Sequence, residues 1–191
     1  MKILAIQGSP RPKGNTQAVL EIVLEAAAKA GATTEVIQLS ELHDLAGCIE
    51  CFGCQKTLDK PGCLVEDDMQ PVLAKAVTAD AIVLATPVFC WAPTWYAKMV
   101  MDRFYCMFKF VSDSEYKCLL EGRKMAAVIT AGGAENDGAD LVAETCRRMA
   151  EFSRARYVGA FVAANVKTPE GIRENAELCR RAAEFGRKLV S

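Results

Sequence analysis

The chain has 191 residues, 51% of them hydrophobic and 25% charged, which suits one globular domain with a sizeable core. A formal net charge of −1 gives no global field to draw it onto nucleic acid or an anionic membrane. No apolar run approaches the ~18 residues of a membrane span, and Met1–Gly8 lacks the long apolar region of a signal peptide, so a cytoplasmic protein is expected.

In chain order, Lys2–Gln7 reads as a short strand, followed by a glycine-containing loop and a helix from about Thr16 to Ala30, which Gly31 closes. Thr33–Leu39 is rich in β-branched residues and reads as the second strand. A cysteine-rich insertion over 46–66 follows, then a helix opened by Asp67 and Asp68 and running to about Thr78. Asp80–Thr86 is almost continuously apolar, as expected of a strand buried on both faces. A helix is predicted from about Thr94 towards Phe110, a strand over Lys124–Ala131, a helix over Asp140–Ser153, a strand over Tyr157–Ala164 and a closing helix over Glu170–Leu189. Five strands alternating with five helices predict one domain with a doubly wound parallel sheet. Ligands bind such sheets beyond the carboxyl ends of the strands.

The loop Gly8-Ser9-Pro10-Arg11-Pro12-Lys13-Gly14-Asn15-Thr16 joins the first strand to the first helix. It matches neither the dinucleotide fingerprint nor the Walker A loop. It nevertheless collects what an anion needs: glycines for close backbone approach, hydroxyls from Ser9 and Thr16, the Asn15 amide, the Arg11 fork and a helix N-terminus. A phosphomonoester fits that donor set; a plain helix cap by Asn15 or Thr16 would not use Ser9 and Arg11 as well. Two further segments fall at the same sheet edge. Pro87-Val88-Phe89-Cys90-Trp91 offers flat apolar surface plus peptide groups, and Ala131-Gly132-Gly133 offers close backbone approach. Each has a plainer reading, as loop side chains folded onto the core or as a turn before a helix.

Cys48-x₂-Cys51-x₂-Cys54 with Cys63 following sets four of the nine cysteines in one segment. Four thiolates at such spacing suit a [4Fe–4S] centre, while structural zinc sites more often use two separated pairs. Reversible disulfides and plain thiols stay open as well. His43 is the single histidine and lies in a loop, which gives hydrolytic Ser-His or Cys-His schemes no support.

Together these motifs resemble the NADPH-dependent FMN reductases and iron–sulfur flavoproteins of the flavodoxin-like superfamily. The resemblance rests on Gly8-Ser9-Pro-Arg11-x-x-Gly14-Asn15-Thr16, on Thr86-Pro87-Val88-Phe89, on Lys98-x-x-x-Asp102-Arg103, and on Gly47-Cys48-x-x-Cys51-x-x-Cys54 with Cys63 and Asp67-Asp68-Met69. It implies a three-layer flavodoxin-like sandwich with strand order 2-1-3-4-5 and an FMN phosphate held by Ser9, Arg11, Asn15 and Thr16. It also implies a flavin ring against Pro87–Trp91 and Ala131–Gly133. NAD(P)H is then the expected donor, with a quinone, free flavin, metal ion or bound cluster as acceptor. The gap to Cys63 is longer than those relatives usually show, and Cys90 stands where many carry an aromatic or small residue. Two rivals remain: an electron carrier exchanging with ferredoxin, and a non-enzymatic zinc-binding module. The apolar, Met-rich stretch Met99–Phe110 occupies more than one helical face, and with the relatives' habit of dimerising it favours a homodimer.

Overall fold

The computed structural model describes residues 1–112 and 114–191. Its elements are β1 Lys2–Gln7, α1 Asn15–Lys29, β2 Thr33–Gln38, α2 Met69–Thr78, β3 Ala81–Phe89, β4 Ala92–Pro93 and α3 Trp95–Arg103. After these come β5 Phe108–Phe110, β6 Tyr116–Cys118, β7 Lys124–Thr130, α4 Asp140–Phe152, β8 Arg156–Ala163, α5 Pro169–Glu174 and α6 Ala176–Val190. Five strands form a parallel sheet in the order β2-β1-β3-β7-β8, which is the expected flavodoxin-like order.

Strand alternation divides the core into two. In β1, Leu4 and Ile6 join Leu73, Val100, Ile82 and Val142 on the side of α2, α3 and α4. Ile3 and Ala5 join Val19, Val83 and Leu189 on the side of α1 and α6. Because β1, β3 and β7 are covered on both faces, nearly every side chain in them is apolar, the pattern a buried parallel strand requires. On the second face α6 crosses α1 so closely that a Cβ at Gly186 would stand 2.1 Å from the Val23 carbonyl oxygen.

Three sequence expectations are corrected. The helix predicted towards Phe110 ends at Arg103; a 3₁₀ turn, Phe104–Met107, leads into β5, which pairs antiparallel with β6. Phe104, Met107 and Phe108 are buried in the core, and it is their burial, not helical periodicity, that accounts for the apolar run. The closing helix is two helices, because Asn175 leaves helical conformation and caps α6 by accepting from the Leu178 N–H at 3.0 Å. Finally, β3 runs on through Pro87-Val88-Phe89 and turns back into β4, so the segment read as an exposed loop is a hairpin. Among the described residues no helix is long and apolar enough to cross a membrane.

Candidate functional site

The carboxyl edge of the sheet opens into a cleft of about 880 Å³ lined by the whole first loop from Ser9 to Thr16. Opposite that loop stand Pro87, Val88 and Phe89 from the end of β3, and Thr130, Ala131 and Gly132 beyond β7. The first loop is stiffened at both ends. Ser9 Oγ accepts from the Arg11 N–H at 3.1 Å, and Pro10 and Pro12 restrict the backbone between them. Gln38 Nε2 donates to the Ser9 carbonyl at 2.8 Å, and Thr94 Oγ1 donates to the Gly8 carbonyl at 2.6 Å while accepting from Ala97 N–H as the cap of α3.

The N-terminus of α1 meets this cleft without a side-chain cap. Gly14 occupies the cap position, and the first helical bond is Ala18 N–H to the Gly14 carbonyl at 3.1 Å. The N–H groups of Asn15, Thr16 and Gln17 therefore have no acceptor among the described residues. Free amides, the positive end of the helix dipole and the exposed cations Arg11, Lys13 and Lys167 converge on one opening. Asn15 Oδ1 is buried there with no partner, an acceptor left for a ligand hydroxyl. These residues fit a phosphorylated, polyhydroxylated cofactor. Glu41 is the one carboxylate among the residues lining the cleft.

Two residues of this loop also serve packing. The Thr16 hydroxyl is buried and shares a hydrogen bond with Thr130 Oγ1 at 2.8 Å, so its side chain ties α1 to β7 at the base of the cleft. Gly8 is small for packing: a Cβ there would come within 2.8 Å of Ala97 Cβ.

Cys90, Trp91 and Gly133 line not the main cleft but a depression beside it, which shares Val88, Ala131 and Gly132 with it. Cys90 and Trp91 have φ of 49° and 61°, so the β3–β4 hairpin turns through two non-glycine residues in the left-handed region. Such a turn favours Asn-Gly, and a Cys-Trp pair stores roughly 1–3 kcal/mol per residue. The strain is held by what surrounds it. Trp91 Nε1 donates to Asp137 Oδ1 at 2.9 Å, and Gly138, at φ 100°, leaves room for the Trp91 backbone. Gly132 and Gly133 do not have positive φ, and nothing lies within 4 Å of where a Gly132 side chain would be.

Val166, Lys167 and Pro169, which also line the cleft, carried no local signal for this site. They arrive because the turn after β8 is bonded to the turn after β7, through Asn165 N–H to Gly133 and Val166 N–H to Ala131, at 2.9 and 3.1 Å.

The four clustered cysteines line one small cavity with Val65, Arg103, Tyr105 and Cys106. Cys48 and Cys51 are exposed at its mouth, Cys54 is buried, and Cys63 lies between. Cys106 was not foreseen here; burial pushes its thiol up to about 12, which keeps it protonated. Glu50 and Phe52, on either side of Cys51, both have φ of 55°. No backbone N–H from Cys48 to Cys54 donates to an acceptor among the described residues. Left-handed residues with free amides form the concave anion-binding surface found at many iron–sulfur sites. Among the described residues no three His, Cys, Asp or Glu side chains converge on a single metal ion. Four thiols of this type are a donor set that a [4Fe–4S] centre uses. The cavity is about 20 Å³, and Ile49–Phe52, which line it, are exposed.

Asp67 and Arg103 hold the ends of this loop. The guanidinium, fully buried, donates to both Asp67 oxygens at 2.6 and 3.0 Å, to the Ala46 carbonyl at 2.7 Å and to the Val65 carbonyl at 3.3 Å. Burial opposes its charge, but Asp67 and the neighbouring Cys63 outweigh burial and raise its pKa. Asp67 is thus a buried ion-pair partner as well as the helix-end carboxylate expected from sequence, its Oδ1 accepting from the Met69 N–H at the start of α2, and Asp68 accepts from the His43 and Asp44 N–H groups.

The profile of the NADPH-dependent FMN reductase family matches residues 1–168. The chain belongs to that family. It is 39% identical over 103 residues to an iron–sulfur flavoprotein of Methanocaldococcus jannaschii, covering 54% of this chain and 51% of that protein. An iron–sulfur flavoprotein of Archaeoglobus fulgidus is 37% identical over 143 residues, covering 75% of this chain and 65% of that one. The chain thus spans about half to two thirds of the length of these curated relatives. A solved NAD(P)H:quinone oxidoreductase from Methanothermobacter marburgensis superposes with a TM-score of 0.75 at 21% identity, over 99% of this chain and 98% of the other, and shares the fold.

Proposed function

We propose that this chain is an FMN-dependent oxidoreductase that takes electrons from NAD(P)H and delivers them to a quinone, a flavin, a metal ion or an iron–sulfur centre of its own. The observation that carries this reading is the uncapped α1 N-terminus, with three free amides, at a cleft ringed by Arg11, Lys13 and Lys167. Ser9, Arg11, Gly14, Asn15 and Thr16 would hold the phosphate, Thr16 through its amide. Pro87, Val88, Phe89, Ala131 and Gly132 would flank the ring, with Cys90, Trp91 and Gly133 at its outer edge. Bound FMN supplies the hydride acceptor and the two-electron store. The protein orients it, excludes water along the Val88 side and needs no acid or base.

The reading extends to a [4Fe–4S] centre on Cys48, Cys51, Cys54 and Cys63, supported by their shared cavity, the free amides around it and the names of the relatives. That second site favours the alternative in which ferredoxin, not a pyridine nucleotide, exchanges electrons with the protein. The exposed aromatic side chains Phe89, Trp91 and Trp95 on the cleft side suit a homodimer interface, and reduced thiols suit the cytoplasm. Purification without oxygen, with flavin and iron analysis and separate assays of NAD(P)H and ferredoxin oxidation, tests all of this. A protein that refused added FMN would refute the main claim; FMN and iron with no NAD(P)H oxidation would select the carrier.

A further inference from the structure

The hairpin β5–β6 was absent from the sequence reading, yet the cysteine segment is built on it. Gln55 bonds β5 in both directions, donating to the Phe108 carbonyl at 3.0 Å and accepting from the Phe110 N–H at 3.2 Å. Between those two residues, Lys109 points to the opposite face. Its side chain is fully buried, and its ammonium donates to the Cys54 carbonyl at 2.9 Å and the Pro61 carbonyl at 3.0 Å. Those carbonyls lie at the two ends of the stretch that separates Cys54 from Cys63. Lys109 forms no ion pair among the described residues, unlike Arg103, whose charge Asp67 balances. The groups facing it are Cys54, Cys106, the exposed Asp59, and Cys118 from β6.

A buried ammonium without a carboxylate is costly unless a nearby anion offsets it. The four-thiol site supplies that anion when the thiols are ionised around a metal centre. We propose that Lys109 is the positioning cation of the Cys48–Cys63 site: it clamps the Cys54–Pro61 loop and, by its uncompensated charge, favours the reduced, more negative state of the centre bound there. This rests on the cluster reading above and adds to it a residue outside the cysteine motif.

The test is a potentiometric titration of the anaerobically purified, iron-loaded protein, followed by the spectroscopic signal of the cluster, with iron and FMN content measured on each sample. Lys109→Met keeps the stem and removes the charge; the expected result is a reduction equilibrium at least tenfold less favourable, about 59 mV more negative for a one-electron couple. Lys109→Arg keeps the charge and is expected to hold the wild-type midpoint. Gln55→Leu removes the other tie to β5 without changing charge, and its midpoint is expected to stay in place. A Lys109→Met midpoint equal to wild type, or a Gln55→Leu shift as large as that of Lys109→Met, overturns the proposal. Should Lys109→Met lose its iron while keeping FMN, full iron retention by Lys109→Arg supports the charge, and equal loss in both variants overturns it. Wild-type protein with FMN but no iron, or with zinc, overturns the cluster reading and this inference together, before any variant is made.

Discussion

Replacing Asp67 by Asn keeps the shape of the side chain and removes its charge, leaving the Arg103 guanidinium buried against two carbonyls only. The pair is fully dry, at 0% and 1% exposure, and bidentate, so solvent screening does not reduce the penalty. The change also weakens the acceptors that Asp67 offers to the Ala46 N–H at 2.9 Å and the Met69 N–H at 3.2 Å. Breaking a buried pair from one side costs about 3–5 kcal/mol. At about 2–4 °C per kcal/mol for a chain of this size, the melting temperature falls by about 6–20 °C. The assay is thermal and denaturant unfolding at one fixed FMN concentration, since ligand bound to the native state shifts both readings. The double replacement Asp67→Leu with Arg103→Met removes both charges, and recovers most of the loss because apolar pairs of similar volume replace buried ion pairs well. A cost below about 1 kcal/mol for Asp67→Asn, or a double variant no better than the single one, would refute the argument that this pair pins the cysteine loop.

Arg11→Ala removes a charge-assisted contact worth about 1.5–3 kcal/mol, so the FMN dissociation constant should rise about 10- to 100-fold, measured by flavin fluorescence titration at low salt. Gly138→Ala places a Cβ 2.9 Å from Trp91 Cα at φ 100°, and should cost about 2–4 kcal/mol in denaturant unfolding. Cys146 sits in the core, where burial pushes its thiol up from 9.0 to about 12. Above pH 9 the unfolded chain ionises this thiol and the native state does not, so stability is intact below 9 and falls from there to about 12. Cys146→Ala should flatten that alkaline slope by up to about 1.4 kcal/mol per pH unit, and an unchanged slope would place the alkaline loss elsewhere.

The alternating elements and the parallel strands were legible because each rests on local chemistry, whereas the strand order followed from the family resemblance. Continuous apolar runs mark strands buried twice over, and Gly14-Asn15-Thr16 after a strand marks a helix start facing a sheet edge. The reading failed where a residue's role is set by a distant partner. Nothing near Thr16 in the sequence announced that its hydroxyl would bond to Thr130, 114 positions away. Met99–Phe110 looked like one helix because its apolar spacing could not show that Phe104, Met107 and Phe108 would be buried across a turn and a strand. Lys109 carried no signal at all, since nothing local distinguishes a buried lysine from an exposed one in a strand.

Sequence alone therefore determined the layered α/β architecture, the glycine-containing loop that opens α1 at the sheet edge, and the grouping of Cys48, Cys51, Cys54 and Cys63. These follow from periodicity, turn chemistry and short spacings, which act within a few residues. Only the tertiary structure decided that Asp67 would neutralise Arg103, that Cys90 and Trp91 would be strained into a hairpin against Gly138, and that Lys109 would stand beneath the cysteine loop. Those outcomes depend on which surfaces the strand crossovers bring together, and a buried charge or a left-handed backbone is tolerable only where distant neighbours supply the compensating contact.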